Sequence, residues 1–229
     1  MLYIGSYYVC VSYGDNKIIY SNDSINWTLY TLPSADYYIM PYYYNNIYPS
    51  IFILTKNDKT YYTSTNGYNN WVSRTITAPN VTIFQYNFVY ANGLFVGLNS
   101  TINYKESKIA LISTDGINWT EITLPIGGFW YNITYYKNMY IGFTYGIYNS
   151  NYSSYVYDGA YIYSTNGINW NYNYLSNIRA IETLMNGIES LLLVSSVDQS
   201  QMVKIDISKN IKIPSLTEPS GLEYWMVAK

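Results

Sequence analysis

The side chains that could do chemistry in this sequence are mostly carboxylates. The 229 residues include 14 acidic and 12 basic side chains, no histidine and a single cysteine, Cys10. Without histidine there is no Ser-His-Asp triad, no Cys-His pair and no His-ligated zinc. One cysteine forms neither an internal disulfide nor a cysteine-rich metal centre. We therefore expect no cofactor, no metal site and no nucleophilic catalysis of these kinds.

Carboxylates alone could support glycoside hydrolysis, which needs two of them flanking one bond. No two acidic residues form a recognisable pair, so we expect a protein that is not an enzyme. An unusual glycoside hydrolase is a less favoured hypothesis, ranked below a binding role and an assembly role. The candidate acids outside repeated motifs are Asp15, Asp36, Asp58, Asp158, Asp198, Glu182 and Glu189.

The overall composition argues against two classes of partner. The net charge is −2 and only 11% of residues are charged, so the chain lacks the basic footprint of a nucleic-acid-binding protein. No apolar run approaches the roughly 18 residues of a membrane span, and the first residues do not form a Sec signal peptide. We expect a location on a virion or extracellular surface, with a cytoplasmic location also open.

A repeated motif indicates the elements that position these residues. It spans 21–27, 64–71, 113–119 and 164–170, and its clearest copy is Ser113-Thr-Asp-Gly-Ile-Asn-Trp119. Copies lie roughly 45 to 50 residues apart, the length of a propeller blade. A short apolar run precedes each copy, and Phe88-Val-Tyr-Ala-Asn-Gly-Leu-Phe-Val-Gly97 has the pattern of a tight hairpin. Each repeat therefore predicts four short antiparallel strands, A to D.

These repeats predict an all-β fold, a small β-propeller of five four-stranded blades in one domain over 1–229. The fifth unit is degenerate, because its C–D turn lacks glycine and Ile213 replaces the tryptophan. The apolar tail is expected to close the ring, so that deleting 221–229 would lower stability. The predicted blades span about 1–33, 36–79, 80–125, 129–175 and 178–216, followed by the closing tail 217–229.

The four motifs resemble the Asp-box, or bacterial neuraminidase repeat, of sialidase-like propellers. The family pattern is Ser-x-Asp-x-Gly-x-x-Trp, and this chain has one residue fewer between the acid and the glycine. The motifs are also similar to a variant in phage and bacterial surface propellers. The resemblance covers about residues 1–216 and implies a fold rather than a chemistry. Sialidases of this fold hold the substrate carboxylate with three arginines, whereas this chain contains only Arg74 and Arg179.

Each motif residue has a structural role that its chemistry explains. The acid or amide caps its own turn by bonding backbone amides, glycine supplies positive φ, and tryptophan packs between neighbouring blades. Ser24 replaces glycine in the first copy, so we expect a looser turn there. The motif residues are Asp23, Trp27, Asn66, Gly67, Trp71, Asp115, Gly116, Trp119, Asn166, Gly167 and Trp170.

The face opposite these turns carries the longer B–C and D–A loops, which is the usual place for binding. The loops 144–160, 98–107 and 126–130 are rich in Tyr, Ser, Asn and Gly, a mixture that suits adaptable recognition. An insertion without a ligand, produced by AT-rich codon usage, would have the same composition. The cluster 42–46 lies near an A–B turn and favours strand surface or subunit contact. The candidate ligand-binding residues are Tyr104, Trp130, Tyr148, Tyr152 and Tyr155.

The leading functional hypothesis is a non-catalytic module of a virion or cell surface that recognises a glycan or protein through this face. The alternative is a structural assembly protein of a phage particle that packs against other virion subunits. Partners would be a glycan or a protein surface, with no nucleic acid and no membrane. Neither the ligand nor the oligomeric state follows from these residues.

Overall fold

A computed structural model describes most of the chain up to residue 175 and short strands beyond it. Every regular element in these residues is a β-strand. The described residues are 2–12, 15–32, 42–43, 51–55, 59–81, 86–99, 107–144, 147–149, 154–156, 159–175, 183–186, 191–194, 201–206, 211–212 and 216–217.

The strands follow the chain order in a series of antiparallel sheets. The first sheet has the order β1-β2-β3-β4 and contains β1 (Leu2–Ile4), β2 (Tyr7–Val11), β3 (Lys17–Ser21) and β4 (Thr28–Thr31). The second sheet contains β6 (Phe52–Thr55), β7 (Thr60–Ser64) and β8 (Val72–Thr75). The third sheet contains β9 (Tyr86–Ala91), β10 (Leu94–Asn99), β11 (Ser107–Ser113) and β12 (Thr120–Gly128).

Two more sheets and a hairpin complete the described elements. The fourth sheet contains β13 (Trp130–Tyr136), β14 (Met139–Thr144), β17 (Gly159–Ser164) and β18 (Asn171–Leu175), and its hairpin pairs β15 (Ile147–Asn149) with β16 (Ser154–Val156). The last sheet contains β19 (Thr183–Asn186), β20 (Leu191–Val194), β21 (Gln201–Asp206) and β22 (Ile211–Lys212), with β23 (Leu216–Thr217) also paired to β21. Four of the five sheets thus contain four antiparallel strands, as expected for a β-propeller.

The hairpins between A and B strands are tight turns with left-handed residues. Asn92 and Gly93 have φ of 50° and 74°, and Lys137 and Asn138 have φ of 45° and 62°. Positive φ at both central residues defines the turn that matches the right-handed twist of the flanking strands. The hairpin predicted at Asn92-Gly93 is therefore confirmed, and Lys137-Asn138 forms the same turn without glycine.

The described core lies between consecutive sheets, with one apolar cluster at each of the three junctions among the first four sheets. Val9 and Ile18 of the first sheet pack with Leu54 and Tyr62 of the second. Further clusters join the second sheet to the third and the third to the fourth. The sheets therefore stack face to face in chain order, and side chains alternate between two buried faces along each central strand.

The second sheet departs from the predicted four strands in the described residues. The tyrosines 42 and 43 form β5 (Tyr42–Tyr43), which pairs in parallel with β9 at Val89 and Tyr90. The 42–46 cluster was expected near an A–B turn, and its described part instead extends the neighbouring sheet. Of the predicted closing tail, only Thr217 is described, and 218–229 lie outside the described residues.

Candidate functional site

The four repeated motifs form turns that satisfy their own polar groups; we call 21–27, 64–71, 113–119 and 164–170 the box turns. In the third, Asp115 Oδ1 accepts hydrogen bonds from the backbone N–H of Ile117 (2.8 Å) and Asn118 (2.7 Å) and from Ser113 Oγ (2.9 Å). The Asn118 side chain donates to Oδ2 at 2.6 Å. The carboxylate is therefore fully used inside its turn, as the sequence predicted.

The other box turns repeat this network with an acid or an amide at the centre. Asp23 Oδ1 accepts from Ile25 N at 2.8 Å and Asn26 N at 2.7 Å. Asn66 and Asn166 accept the corresponding backbone donors through Oδ1. Acid and amide perform the same task because the oxygen that the turn needs is present in both.

The two box-turn carboxylates are held ionised. For Asp23, hydrogen bonds from the Asn26 side chain and from the Asn26 and Ile25 backbone lower its pKa well below the usual range. For Asp115, burial raises the pKa, but the donors of Asn118 and Ile117 outweigh it and the net shift is strongly downward. A general acid needs a pKa near the working pH, so these carboxylates serve the fold.

The glycines of the box turns also lie against the preceding sheet. Gly167 has φ +73°, and a Cβ there would lie 2.9 Å from Leu94 Cδ2 and 3.0 Å from Val96 Cγ2 of the third sheet. Gly67 and Gly116 contact the preceding sheets in the same way. Ser24 adopts φ +60°, so the first turn keeps the left-handed conformation without glycine and the same hydrogen bonds to Asp23 Oδ1.

Three of the four motif tryptophans pack at junctions between sheets. Trp71 is 6% exposed and packs in the cluster between the first and second sheets. Trp119 and Trp170 pack at the next two junctions. Trp27 is 40% exposed, which corrects the expectation that all four are buried between blades.

The face of the first sheet that points away from the second is correspondingly open, and it is apolar apart from Lys17, Ser21 and Thr31. Tyr3, Ile19 and Leu29 are exposed there, and Cys10 is half-buried. We call the face formed by Tyr3, Tyr8, Cys10, Ile19 and Leu29 the seam face. Its positions match those that are buried at the internal junctions, such as Leu54 and Tyr62 of the second sheet.

The β15–β16 hairpin lies at the opposite end of the fourth sheet from its box turn. It occupies the connection from β14 to β17, whereas the box turn follows β17. Its register places Ile147 opposite Val156 and Tyr148 opposite Tyr155, and β15 lies beside β12 of the third sheet. The segment predicted as a long binding loop thus contains a two-stranded hairpin with a tyrosine pair at its centre.

The predicted ligand residues divide into three groups. Tyr148 and Tyr155 come together in the hairpin, and Tyr104 and Tyr152 lie outside the described residues. Trp130 is 1% exposed and donates its indole N–H to the Ser107 carbonyl at 2.8 Å. The expectation that Trp130 contacts a ligand is therefore wrong: β12 and β13 run almost without interruption through 126–130, so no loop presents this side chain.

Other tyrosines gather at sites that sequence reasoning missed. Tyr68, in the second box turn, stacks on Tyr7 with centroids 4.3 Å apart and lies 4.8 Å from the Tyr20 ring. Desolvation raises the pKa of Tyr68, with further contributions from Tyr7 and Tyr20. The signal for this cluster was present, since Tyr68 stands where the other box turns carry isoleucine.

The remaining acids form no recognisable catalytic arrangement in the described part of the chain. Glu121 accepts hydrogen bonds from Asn80 N (2.8 Å) and Nδ2 (2.7 Å), and Asp15 accepts from Ser12 Oγ at 3.3 Å. The other candidate acids lie outside the described residues. Within those residues no group of three His, Cys, Asp or Glu could hold a metal, and no helix could cross a membrane.

Comparisons with known proteins identify the architecture. No family model and no curated protein matches the sequence. Among solved structures, YCF48 bound to D1 peptide is similar with a TM-score of 0.59 and 11% identity over 90% of this chain. The GH74 enzyme of Niastella koreensis is similar with a TM-score of 0.54 and 16% identity over 86% of this chain. Both are propellers of four-stranded antiparallel sheets.

The fold is a β-propeller. This chain spans 62% of the YCF48 chain and 28% of the GH74 chain, so the likeness concerns the propeller alone. Because identities this low reflect a shared fold rather than a shared site, the function has to be argued from this chain's own residues.

Proposed function

We propose that this propeller is a non-catalytic binding module that recognises a protein or glycan surface through the face that carries the β15–β16 hairpin. The observation that carries the proposal is the hairpin itself, inserted opposite the box turns with Tyr148 and Tyr155 paired in register. Tyrosine gives rigid contact area at low entropic cost, and the neighbouring Ser, Asn and Gly give adaptable hydrogen bonding.

The polar groups described elsewhere support a binding role over catalysis. Asp23 and Asp115 are used by their own turns, and Arg74 Nε donates to Thr63 Oγ1 at 2.8 Å. Groups engaged in this way position the fold and are poorly placed to act on a substrate. This use of the described charged groups supports contact rather than catalysis as the proposed role.

A peptide or protein is the first partner class to test, and a glycan is the second. The structurally similar YCF48 is described as bound to a peptide, which supports testing peptides first. Stacking on tyrosine rings with asparagine nearby equally suits a sugar. The two classes need separate arms in one experiment.

The test is binding of the full chain to a peptide array and to a glycan array, followed by titration of the best hit. Tyr148→Ala and Tyr155→Ala should each weaken binding at least about tenfold, which corresponds to roughly 1.4 kcal/mol. Val72→Ala, on the exposed outer strand of the second sheet, is the control and should leave affinity unchanged. Equal effects of all three variants, or no hit in either arm, would refute the hairpin as the binding site.

A structural role in a phage particle is the second candidate, and exposed tyrosines on the outer strand of the fourth sheet favour it. Exposed apolar patches on a soluble protein mark interaction sites, and Tyr172 and Tyr174 are exposed together on β18. Locating the chain in an intact particle tests this role and the proposed surface location together. Burial of 144–160 against another subunit would favour assembly over ligand binding.

We further propose five blades, with the last sheet closing the ring against the seam face. Ile141, Phe143 and Tyr161 lie on the side of the fourth sheet that points away from the third, and all three are buried. Cover by a further sheet would explain their burial, and β19–β22 form the remaining described sheet. The other face of this last sheet can then pack against the seam face, which is the arrangement that a closed ring needs.

A further inference from the structure

The outermost strand of the fourth sheet is an exposed edge. In the part of the chain that the structure describes, β18 pairs only with β17. Tyr172 and Tyr174 are 42% and 55% exposed, and their rings meet edge to face with centroids 5.4 Å apart. An edge strand presents a row of backbone donors and acceptors that can pair with another chain.

Two other outer strands carry a charge that this edge lacks. In β8, Arg74 bonds Thr63, and in β12, Glu121 is bound by Asn80 across the edge. Natural sheets use charged side chains and covering segments to prevent edge-to-edge pairing. No residue of 159–175 is charged, so β18 and the strand it pairs with carry no charged side chain of this kind.

The sequence of β18 is complementary to itself. It reads Asn171-Tyr172-Asn173-Tyr174-Leu175 and is symmetric about Asn173 over its central three residues. Antiparallel pairing with a second copy, centred on Asn173, places Tyr172 opposite the partner subunit's Tyr174 and joins the two asparagines at the twofold axis. Aromatic pairs directly opposite each other stabilise antiparallel strands. The uncharged β4, Thr-Leu-Tyr-Thr, lacks this symmetry.

The faces of the strand agree with this arrangement. Side chains alternate along a strand, so Tyr172 and Tyr174 share one face, while the Asn173 side chain donates to Tyr161 OH at 2.8 Å on the other. A twofold axis perpendicular to the sheet keeps both pairs of tyrosines on the same face of a continuous eight-stranded sheet. Such an interface is isologous and closes at two copies.

We propose that two copies of this chain associate edge to edge through β18. The surface is separate from the β15–β16 hairpin, so the proposal does not depend on ligand binding there. It assigns the exposed tyrosines of β18 to self-association, and it specifies the register, with Asn173 at the centre.

Sedimentation velocity of the full chain over a range of concentrations tests the proposal. The unmodified chain should form dimers, and Asn173→Lys and Asn173→Asp should each be monomeric because like charges then meet at the axis. Mixing the two variants should restore a dimer, which a merely misfolded protein would not do. Ser73→Lys, on the outer strand of the second sheet, is the control and should leave dimerisation unchanged.

Three results would overturn the proposal. These are a monomer at every concentration, dimers that persist in both charged variants, and a mixture that stays monomeric although both variants melt cooperatively. Tyr174→Ser supplies a check without charge, because it removes one ring from each cross-strand pair. It should shift the monomer–dimer midpoint to higher concentration by several-fold, and an unchanged midpoint would contradict the register.

Discussion

In each box turn, a single side-chain oxygen accepts hydrogen bonds from backbone amides of the turn. Asp115 Oδ1 accepts two backbone donors and a hydroxyl, so the turn's amides remain bonded although no strand partner reaches them. Removing one partner leaves the others unsatisfied, which costs more than the hydrogen bond itself contributes. Stability at this scale therefore depends on the oxygen at the centre of each turn.

Asp115→Ala should destabilise the protein by about 1–3 kcal/mol, because the amides of Ile117 and Asn118 lose their acceptor. Asp115→Asn should cost much less, since Asn66 and Asn166 make the same contacts in their own turns. Urea denaturation of the three proteins measures the difference. Equal losses for the alanine and asparagine variants would contradict the role of this oxygen.

The depressed pKa of Asp115 also predicts a loss of stability in acid. Its pKa is lower in the folded chain than in the unfolded one, so its contribution is complete above the unfolded value, near pH 4, and declines as pH falls towards the folded value. Asp115→Asn should make the melting temperature depend less on pH below about pH 4. Asn166→Asp should make the melting temperature fall more steeply with decreasing pH. An unchanged pH dependence in both variants would contradict the predicted contribution of the box-turn carboxylate.

At the scale of elements, the glycine of each box turn joins its turn to the sheet before it. Gly167→Ala should lower stability by more than about 1 kcal/mol, because it combines positive φ with a Cβ close to Leu94. Gly93→Ala is the matched control, since Gly93 has φ +74° and no atom within 4 Å of its Cβ position. Chemical denaturation should show a larger loss at Gly167, and equal losses would mean that the contact with Leu94 contributes nothing.

The box turns and the Asn92-Gly93 hairpin could be predicted from sequence because local chemistry alone determines them. The burial of Trp130 could not be predicted, because the segment 126–130 has the composition of a loop although β12 and β13 run almost continuously through it. The β15–β16 hairpin also escaped prediction: Tyr, Ser and Asn in mixed order hide the alternation of a strand. Trp27 occupies the same motif position as the buried Trp71, so its exposure could not be predicted from the motif.

At the scale of the whole molecule, the junctions between sheets are unequal. Trp71 is 6% exposed at the first internal junction, whereas Trp27 is 40% exposed at the seam face. Glycine brings the box turn against the preceding sheet at the internal junctions, and serine occupies that position in the first turn. Junctions with less buried apolar surface open at lower free energy, so we expect the ring to open first at the seam face.

The only cysteine of the chain reports on this opening. Cys10 should react with a thiol reagent at denaturant concentrations well below global unfolding, because it lies on the seam face. Leu54→Cys in a Cys10→Ser background places a thiol at the equivalent buried position of the second sheet, and it should react only on global unfolding. Identical denaturant dependence of the two thiols would contradict a weak seam and would count against ring closure there.

Because each box turn satisfies its own hydrogen bonds, the repeat unit is well suited to evolution by duplication. Each turn bonds its own polar groups and meets its neighbour mainly through a glycine and a tryptophan. A tandem duplication of roughly fifty codons would therefore add a unit whose turn is already satisfied and whose contacting residues are already in place. In the proposed ring the terminal units meet at the closure, and there motif residues such as glycine and tryptophan can be replaced, as Ser24 and Ile213 illustrate.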